Sequence, residues 1–291
     1  MKAKYNSNPG EQNTMKKYLL TLSTSALICA SASAATVVVD DSFDDGDIAT
    51  NTLGIGSGFN AVGSSGGSVT ESGGSAQVIA GTPGYKRAYM TSKEGGTIST
   101  STRYEFKGVN FSLINQGATS GGDGRYYFGV KGNSAASDMQ GNPETGFWIQ
   151  VENDNFAATT GVSRLFYESN ASARTNLATW TFDTLNFEPG GSGNYTPTVD
   201  FTLDLDATSY SLSFTGDTIS NLTGSLSGTY ASAGISNELT TGYTASFMQG
   251  TNPAVAVSFD QIVITQAVPE PSSAALIFGG MSMLLVRRRR R

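Results

Sequence analysis

Thr198-Val199-Asp200-Phe201-Thr202-Leu203-Asp204-Leu205-Asp206-Ala207-Thr208-Ser209-Tyr210-Ser211-Leu212-Ser213-Phe214-Thr215-Gly216 alternates apolar and polar residues on both sides of one polar break. Val199, Phe201, Leu203 and Leu205 share one face of an extended chain and Asp200, Thr202 and Asp204 the other, which is the pattern of a half-buried strand. Asp206 to Ser209 forms a short polar turn, after which Tyr210, Leu212 and Phe214 resume the alternation. The stretch predicts an antiparallel β-hairpin, and Thr215-Gly216-Asp217 turns the chain again.

Outward from this hairpin the same alternation occurs at Ile98 to Phe106, at Phe147 to Val151, and at Val255 to Phe259, the last continuing through Ile262 and Ile264. Tyr126 to Val130 and Ala76 to Ile79 are shorter predicted strands, and no capped amphipathic helix of three turns is found between residues 35 and 267. The chain has 35 glycines in 291 residues and is 14% charged, against about 25% charged in an ordinary soluble domain. Such a composition suits strands and turns. Gly54 to Gly74 and Gly190 to Gly193 are expected as long loops, and no Pro-rich or charged linker divides the body. These features predict one all-β domain over residues 35–267, built as a two-sheet antiparallel sandwich.

The opening Asp40-Asp41-Ser42-Phe43-Asp44-Asp45-Gly46-Asp47, the hairpin around Leu203 to Leu212, and the closing Val257-Ser258-Phe259-Asp260-Gln261-Ile262-Val263-Ile264 together resemble the concanavalin A-like lectin/glucanase jelly roll, in particular its laminin G-like forms. The resemblance spans most of residues 36–266. It implies that the first and last strands lie side by side, and that the sandwich suits carbohydrate binding.

Both ends read as processing segments. Lys16 and Lys17 form a positive region, Tyr18 to Ile28 an apolar stretch, and Ala32-Ser33-Ala34 a small-x-small cleavage site. Residues 15–34 are therefore expected to be a secretory signal peptide, cut so that the body starts at Ala35. Residues 1–14 are read as a disordered extension or a misassigned start, with translation beginning at Met15. The other end, residues 268–291, runs through Pro269, Glu270 and Pro271, then an uncharged stretch from Ala274 to Val286, then Arg287, Arg288, Arg289, Arg290 and Arg291. Thirteen helical residues span roughly 20 Å, short of a hydrocarbon core of about 30 Å, so this is a short transmembrane helix suited to a temporary anchor. The arginines hold their side in the cytoplasm and leave the body outside. Pro269 and Pro271 keep the intervening peptide extended at the membrane surface.

This tail resembles the PEP-CTERM sorting signal. The resemblance implies recognition of Pro269-Glu270-Pro271 by an exosortase-type membrane protease, after passage through the secretion translocon and cleavage by signal peptidase. The expected locations are an inner-membrane-anchored precursor, then the cell surface or extracellular matrix.

Composition excludes several chemistries. Removing Glu11 and Glu270 from the 24 acidic residues, and Lys2, Lys4, Lys16, Lys17 and the five terminal arginines from the 18 basic ones, leaves the body near −13. That charge argues against nucleic acid or an anionic membrane as partner. There is no histidine, so Ser-His-Asp and Cys-His mechanisms and histidine-held metals are absent. The single cysteine, Cys29, lies in the signal segment, so burial alone must stabilise the body.

Carboxylate chemistry remains open, because glycoside hydrolysis needs only two suitably spaced carboxyl groups. The glucanase motif of the resembled fold, Glu-x-Asp-x-Glu, is approached at Glu152-Asn153-Asp154-Asn155-Phe156, where Phe156 replaces the general acid. No catalytic residue is assigned. The acidic run from Asp40 to Asp47 does not fit an EF-hand loop, since Phe43 and Thr52 fall at ligand positions. Asn153, Asp154 and Asn155 are the candidate calcium ligands instead. Trp148 alternates with Phe147, Ile149 and Val151, so Trp148, Gln150 and Glu152 face outward together if those three are core. They are the candidate glycan-binding residues, Trp148 supplying a flat ring for a sugar face, with packing of Trp148 as the alternative. Tyr126, Tyr127 and Trp180 carry a weaker case. The expectation is a surface or matrix protein binding extracellular polysaccharide without catalysis; the alternatives are a glycan hydrolase of the same fold and a structural coat protein with no small ligand.

Overall fold

The structure is a computed structural model, and it describes residues 35–64, 66–79, 86–111, 125–137, 145–153, 160–168, 174–183, 198–216, 223–236, 238–250 and 256–268. The chain divides into two compact units, Ala35–Val268 and the two terminal segments, and every described residue belongs to the first. The signal segment with Ala32 and Ala34, the tail with Pro269 to Arg291, and Asp154 and Asn155 lie outside the described residues. No helix among the described residues is long and apolar enough to cross a membrane.

The strands are β1 (Ala35–Asp41), β2 (Phe59–Ser64), β3 (Ser68–Glu71), β4 (Ala76–Ile79), β5 (Lys86–Ser92), β6 (Gly96–Thr97), β7 (Thr102–Phe111), β8 (Arg125–Lys131) and β9 (Gly146–Asn153). They continue as β10 (Thr160–Glu168), β11 (Arg174–Asp183), β12 (Thr198–Leu205), β13 (Ser209–Gly216), β14 (Thr223–Thr229), β15 (Thr241–Gly250), β16 (Ala256–Phe259) and β17 (Gln261–Ala267). A nine-stranded sheet runs β14-β13-β12-β7-β16-β4-β3, with β17 also on β7 and β1 on β17. An eight-stranded sheet runs β11-β10-β9-β8-β15-β5-β2, with β6 on β15. The described pairings are antiparallel, and β1 pairs β17, so the two ends of the domain are neighbours.

The quoted hairpin forms as β12 and β13, with Phe201 opposite Phe214, Leu203 opposite Leu212 and Leu205 opposite Tyr210. Its apolar positions enter the space between the sheets, where Phe128 meets Phe201 at 4.8 Å, Phe106 at 5.3 Å and Phe259 at 5.9 Å between ring centroids. Phe106 comes from β7, Phe128 from β8, Phe201 from β12 and Phe259 from β16, so one aromatic group ties both sheets together. Each such pair contributes about 0.5–1.5 kcal/mol beyond its buried area.

Two expectations are corrected. The strand expected over Ile98 to Phe106 begins only at Thr102, because the chain turns between β6 and β7. Thr102 Oγ1 donates to the Thr97 carbonyl at 2.8 Å and Thr100 N–H to the same oxygen at 3.3 Å, while Ile98 is buried in the turn. The loop expected from Gly54 to Gly74 contains β2 and β3. Glycine here permits close strand approach: a Cβ on Gly63 would lie 1.9 Å from the Gly67 carbonyl oxygen, and one on Gly67 2.4 Å from that of Arg87.

Phe128→Ala is expected to lower the unfolding free energy by about 3–5 kcal/mol, and Ser213→Ala on the exposed face by less than about 0.5 kcal/mol. Equilibrium denaturation checks both, and equal effects would mean that the ring group is not the core.

Candidate functional site

A sheet that packs on one side normally presents polar residues on the other. The eight-stranded sheet does not. Its inner face supplies Phe128, Val130, Phe147, Ile149 and Val151 to the main core, while Tyr89, Tyr127, Trp148, Ala245 and Phe247 form a second cluster on the outward face. Cross-strand register creates it: Phe247 lies opposite both Tyr89 and Tyr127, and Tyr127 lies opposite Gln150. The Tyr89 and Tyr127 rings stack on either side of Phe247, with centroids 5.2 and 5.5 Å away. Trp148 lies opposite Gly129, which has no side chain to compete with the indole. Gly146 leaves the same room, since a Cβ there would sit 2.5 Å from the indole ring.

The loop at residues 132–137 is fastened across this face. Asn60 Nδ2 donates to the Ser134 carbonyl at 2.7 Å and Thr91 Oγ1 to that of Ala135 at 3.3 Å. The buried Lys131 ammonium donates to the Ala135 carbonyl and, at 2.8 Å, to Ser137 Oγ. Ala136 packs on the aromatic cluster.

Trp148 and Gln150 lie on the outward face, but both are buried there and do not project into solvent. Trp148 is 2% exposed, and its Nε1–H is buried with no hydrogen-bond acceptor. Glu152 and Asn153 are placed by backbone pairing only, Glu152 opposite Arg125 and Asn153 opposite Gly161. Trp180 is half-buried edge-on to Phe214 at 5.0 Å, packed against the main core. Among the described residues no group of three or more Asp, Glu, Cys or His side chains is placed to enclose a metal ion.

A second feature lies on the outer face of the nine-stranded sheet. A cleft of about 500 Å³ is lined by residues that include Ser101, Arg103, Asp204, Asp206, Ser211, Ser227 and Thr229. Arg103, Asp204, Ser211 and Ser227 form one cross-strand row over β7, β12, β13 and β14. Arg103 grips Asp204 through Nε at 2.8 Å and a terminal nitrogen at 3.2 Å. Asp206 anchors the hairpin turn, accepting from the Thr208 and Ser209 N–H groups at 2.6 and 2.7 Å and from both hydroxyls. Burial opposes its charge, but the Ser209 and Thr208 hydrogen bonds prevail and hold its carboxyl below the usual range. Asp206 is therefore ionised near neutral pH and serves to hold the turn. Sequence reasoning passed over this row: Asp204 and Ser211 were visible as outward positions, but Arg103 joins them only through strand register.

No family model and no curated protein matches the chain. Solved structures do. The CBM2 module of the Lactobacillus casei BL23 phage J-1 evolved Dit has a TM-score of 0.52 at 10% identity, covering 81% of this chain and 97% of that one. Winged bean acidic lectin complexed with methyl-alpha-D-galactose has a TM-score of 0.51 at 11% identity, covering 81% of this chain and 100% of that one. The exoplasmic/lumenal domain of VIP36 in its Ca2+/Man3GlcNAc-bound form has a TM-score of 0.48 at 12% identity, covering 75% and 87%. The first two establish a shared fold, an all-β antiparallel two-sheet sandwich with lectin-like neighbours.

Asp206→Ala is expected to destabilise the protein by about 1–2 kcal/mol at neutral pH through loss of its turn hydrogen bonds. A carboxyl with a depressed folded pKa contributes stability that is lost as pH falls through that value. The gap between wild type and variant in denaturant titrations should thus narrow below about pH 4.

Proposed function

We propose that this chain is an exported, surface-associated protein that binds extracellular polysaccharide and performs no covalent chemistry. The observation that carries the reading is the second aromatic cluster on the outward face of the eight-stranded sheet, where a two-layer sandwich has no packing need for four aromatic rings. Trp148 Nε1 is a buried donor without an acceptor, and such groups in native structures commonly meet a ligand or water. The ligand meets the Asn133 to Ser137 rim first, with Trp148 and Gln150 beneath it, and Glu152 is assigned to the same site from its phase in the sequence. Calcium at Asn153, Asp154 and Asn155 belongs to the same reading, because all three side chains offer the oxygen atoms that a hard cation takes. The two neighbours with the shared fold are a carbohydrate-binding module and a galactoside-bound lectin, which supports a glycan as the ligand class.

The alternative docking surface is the cleft beside Arg103 and Asp204, favoured by its open, hydroxyl-rich lining and its volume of about 500 Å³, within the range of small-ligand sites. The protein has two tryptophans, Trp148 and Trp180, so Trp180→Phe leaves Trp148 as the sole indole reporter. Polysaccharides retained on the Trp180→Phe protein should shift Trp148 emission. Retention without a shift, abolished by Arg103→Ala, would move the site to the cleft. No retention by any extracellular polysaccharide from the producing cells would leave the structural-coat reading.

Export and sorting are part of the same proposal, supported by the order of the three tail elements and by the signal pattern ahead of Ala35. Translocon, signal peptidase and an exosortase-like protease are the partners it requires. The intact mass of the protein from producing cells should lack the residues up to Ala34 and those beyond about Pro269. A retained poly-Arg end in the membrane fraction would make the tail a permanent anchor.

A further inference from the structure

The loop between β1 and β2 carries Asp44, Asp45 and Asp47, and Glu71 ends β3 on the edge of the nine-stranded sheet. The fold sets this loop against that strand end. Gly46 N–H donates to Glu71 Oε1 at 2.6 Å, and the Asp45 and Glu71 carboxyl groups stand within hydrogen-bonding reach of each other. Two ionised carboxylates offer only acceptors, so this contact is a hydrogen bond only when one of the pair carries a proton.

The surroundings decide which one carries it. Asp45 accepts from Thr52 N–H at 2.6 Å, Thr52 Oγ1 at 3.0 Å and Asp47 N–H at 3.1 Å. Those donors favour its ionised form, and the Thr52 and Asp47 N–H groups hold its carboxyl below the ordinary range. Glu71 is half-buried, and its Oε2 is buried with no donor. Burial raises its carboxyl, the Gly46 N–H opposes the rise, and the charges of Asp45 and Asp41 add to it. Glu71 is therefore the acid of the pair, with Oε2 as the place for its proton.

Asp41 favours the same state. It is only 3% exposed, its Oδ1 accepts from Phe43 N–H at 2.9 Å, and its Oδ2 is buried with no donor. Phe43 takes a left-handed backbone (φ 55°) and sets its ring 5.5 Å from Phe59, which covers this carboxyl. Burial pushes Asp41 up to about 6, against the Phe43 N–H and with the charges of Asp45, Asp40 and Asp44. The remaining charged groups around the loop have other partners. Asp40 accepts from Gln261 Nε2 at 2.6 Å and Asp44 from Ser42 Oγ at 2.8 Å, while Glu94 accepts from Ser57 N–H at 2.8 Å and Lys93 donates to the Ala49 carbonyl. β4, paired with β3, has no titratable side chain, and Asp260 beyond β16 is turned toward Gly108 and Asp200.

We propose that Glu71 and Asp45 form a proton-operated latch: in mild acid one shared proton ties the β1–β2 loop to the end of β3, and its loss at higher pH sets two like charges against each other and frees the loop. A carboxyl raised in the folded state contributes stability that is complete below its unfolded value, near about 4.3 for glutamate, and is lost as pH rises through the folded value. That sign is opposite to Asp206. The latch is independent of glycan binding.

The test is hydrogen exchange read by mass spectrometry on the purified full-length protein in detergent, following the peptide over residues 44–52 after correction for intrinsic exchange rates. Protection of this loop in the wild type should be about tenfold higher at about pH 5 than at about pH 8, the change that a displacement of one pKa unit supplies. Glu71→Gln replaces the protonated acid by an amide that donates to Asp45 at any pH, so it should keep the acid-level protection at both values. Asp45→Asn removes the like charge and should also abolish the difference; it lies on a surface loop and carries the test if Glu71→Gln fails to fold. The proposal is overturned if the wild-type loop is equally protected at both values, or if Glu71→Gln leaves it as open in acid as the wild type is in base. Either variant retaining the wild-type difference overturns it as well, and would make Asp41 the titrating group.

Discussion

The rings of Phe128, Phe106, Phe201 and Phe259 hold the two sheets against each other, and the rest of the molecule is arranged around that contact. The only cysteine is Cys29, ahead of the body, so no disulfide limits the unfolded state and no thiolate metal site adds free energy. A sandwich in this position depends on inter-sheet burial, and long-range burial makes stability cooperative. The four phenylalanines come from β7, β8, β12 and β16, so strands from the first half and the second half of the domain meet at one point. β7 is the organising strand, pairing β12 on one edge and β16 and β17 on the other. Closure of β1 on β17 brings both ends of the domain into the same sheet.

The two sheets use their outer faces differently. The nine-stranded sheet presents hydroxyls and charges, Ser211 opposite Ser227 and Arg103 opposite Asp204, so its surface is wet and its cleft is polar. The eight-stranded sheet carries aromatic rings on both faces, and a short loop fastened by Asn60, Thr91 and Lys131 is drawn over the second one. The aromatic strip thus lies beneath a polar rim, its rings buried by that loop.

Period-two alternation was legible wherever one face of a strand met the core. β4 and the β12–β13 hairpin followed from it, and so did the cores of β8 and β9 and the pair β16 and β17, because side chains on a pleated strand point alternately to opposite sides whatever lies beyond. Resemblance to the lectin-like jelly roll correctly placed the first strand beside the last. Where glycine replaced the apolar positions, as in β2 and β3, the signal vanished: those strands are set by close backbone approach, which leaves no hydrophobic pattern to read. At Ile98 the pattern misled, because a buried turn residue and a buried strand residue are equally apolar.

Alternation grouped Trp148, Gln150 and Glu152 by phase, yet it was silent on whether the face that carries Trp148 is open. The amino-acid sequence by itself determined the class of fold, the phase of its clearest strands, and the chemistries ruled out by composition. Tertiary structure alone decided that the second face of the eight-stranded sheet is covered, that Arg103 meets Asp204, and that Asp41 and Glu71, thirty residues apart, leave two buried oxygens without a donor. The physical reason is that periodicity is a property of a strand and its immediate neighbours along the chain. Burial and electrostatic environment belong to whatever the folded chain brings close from elsewhere.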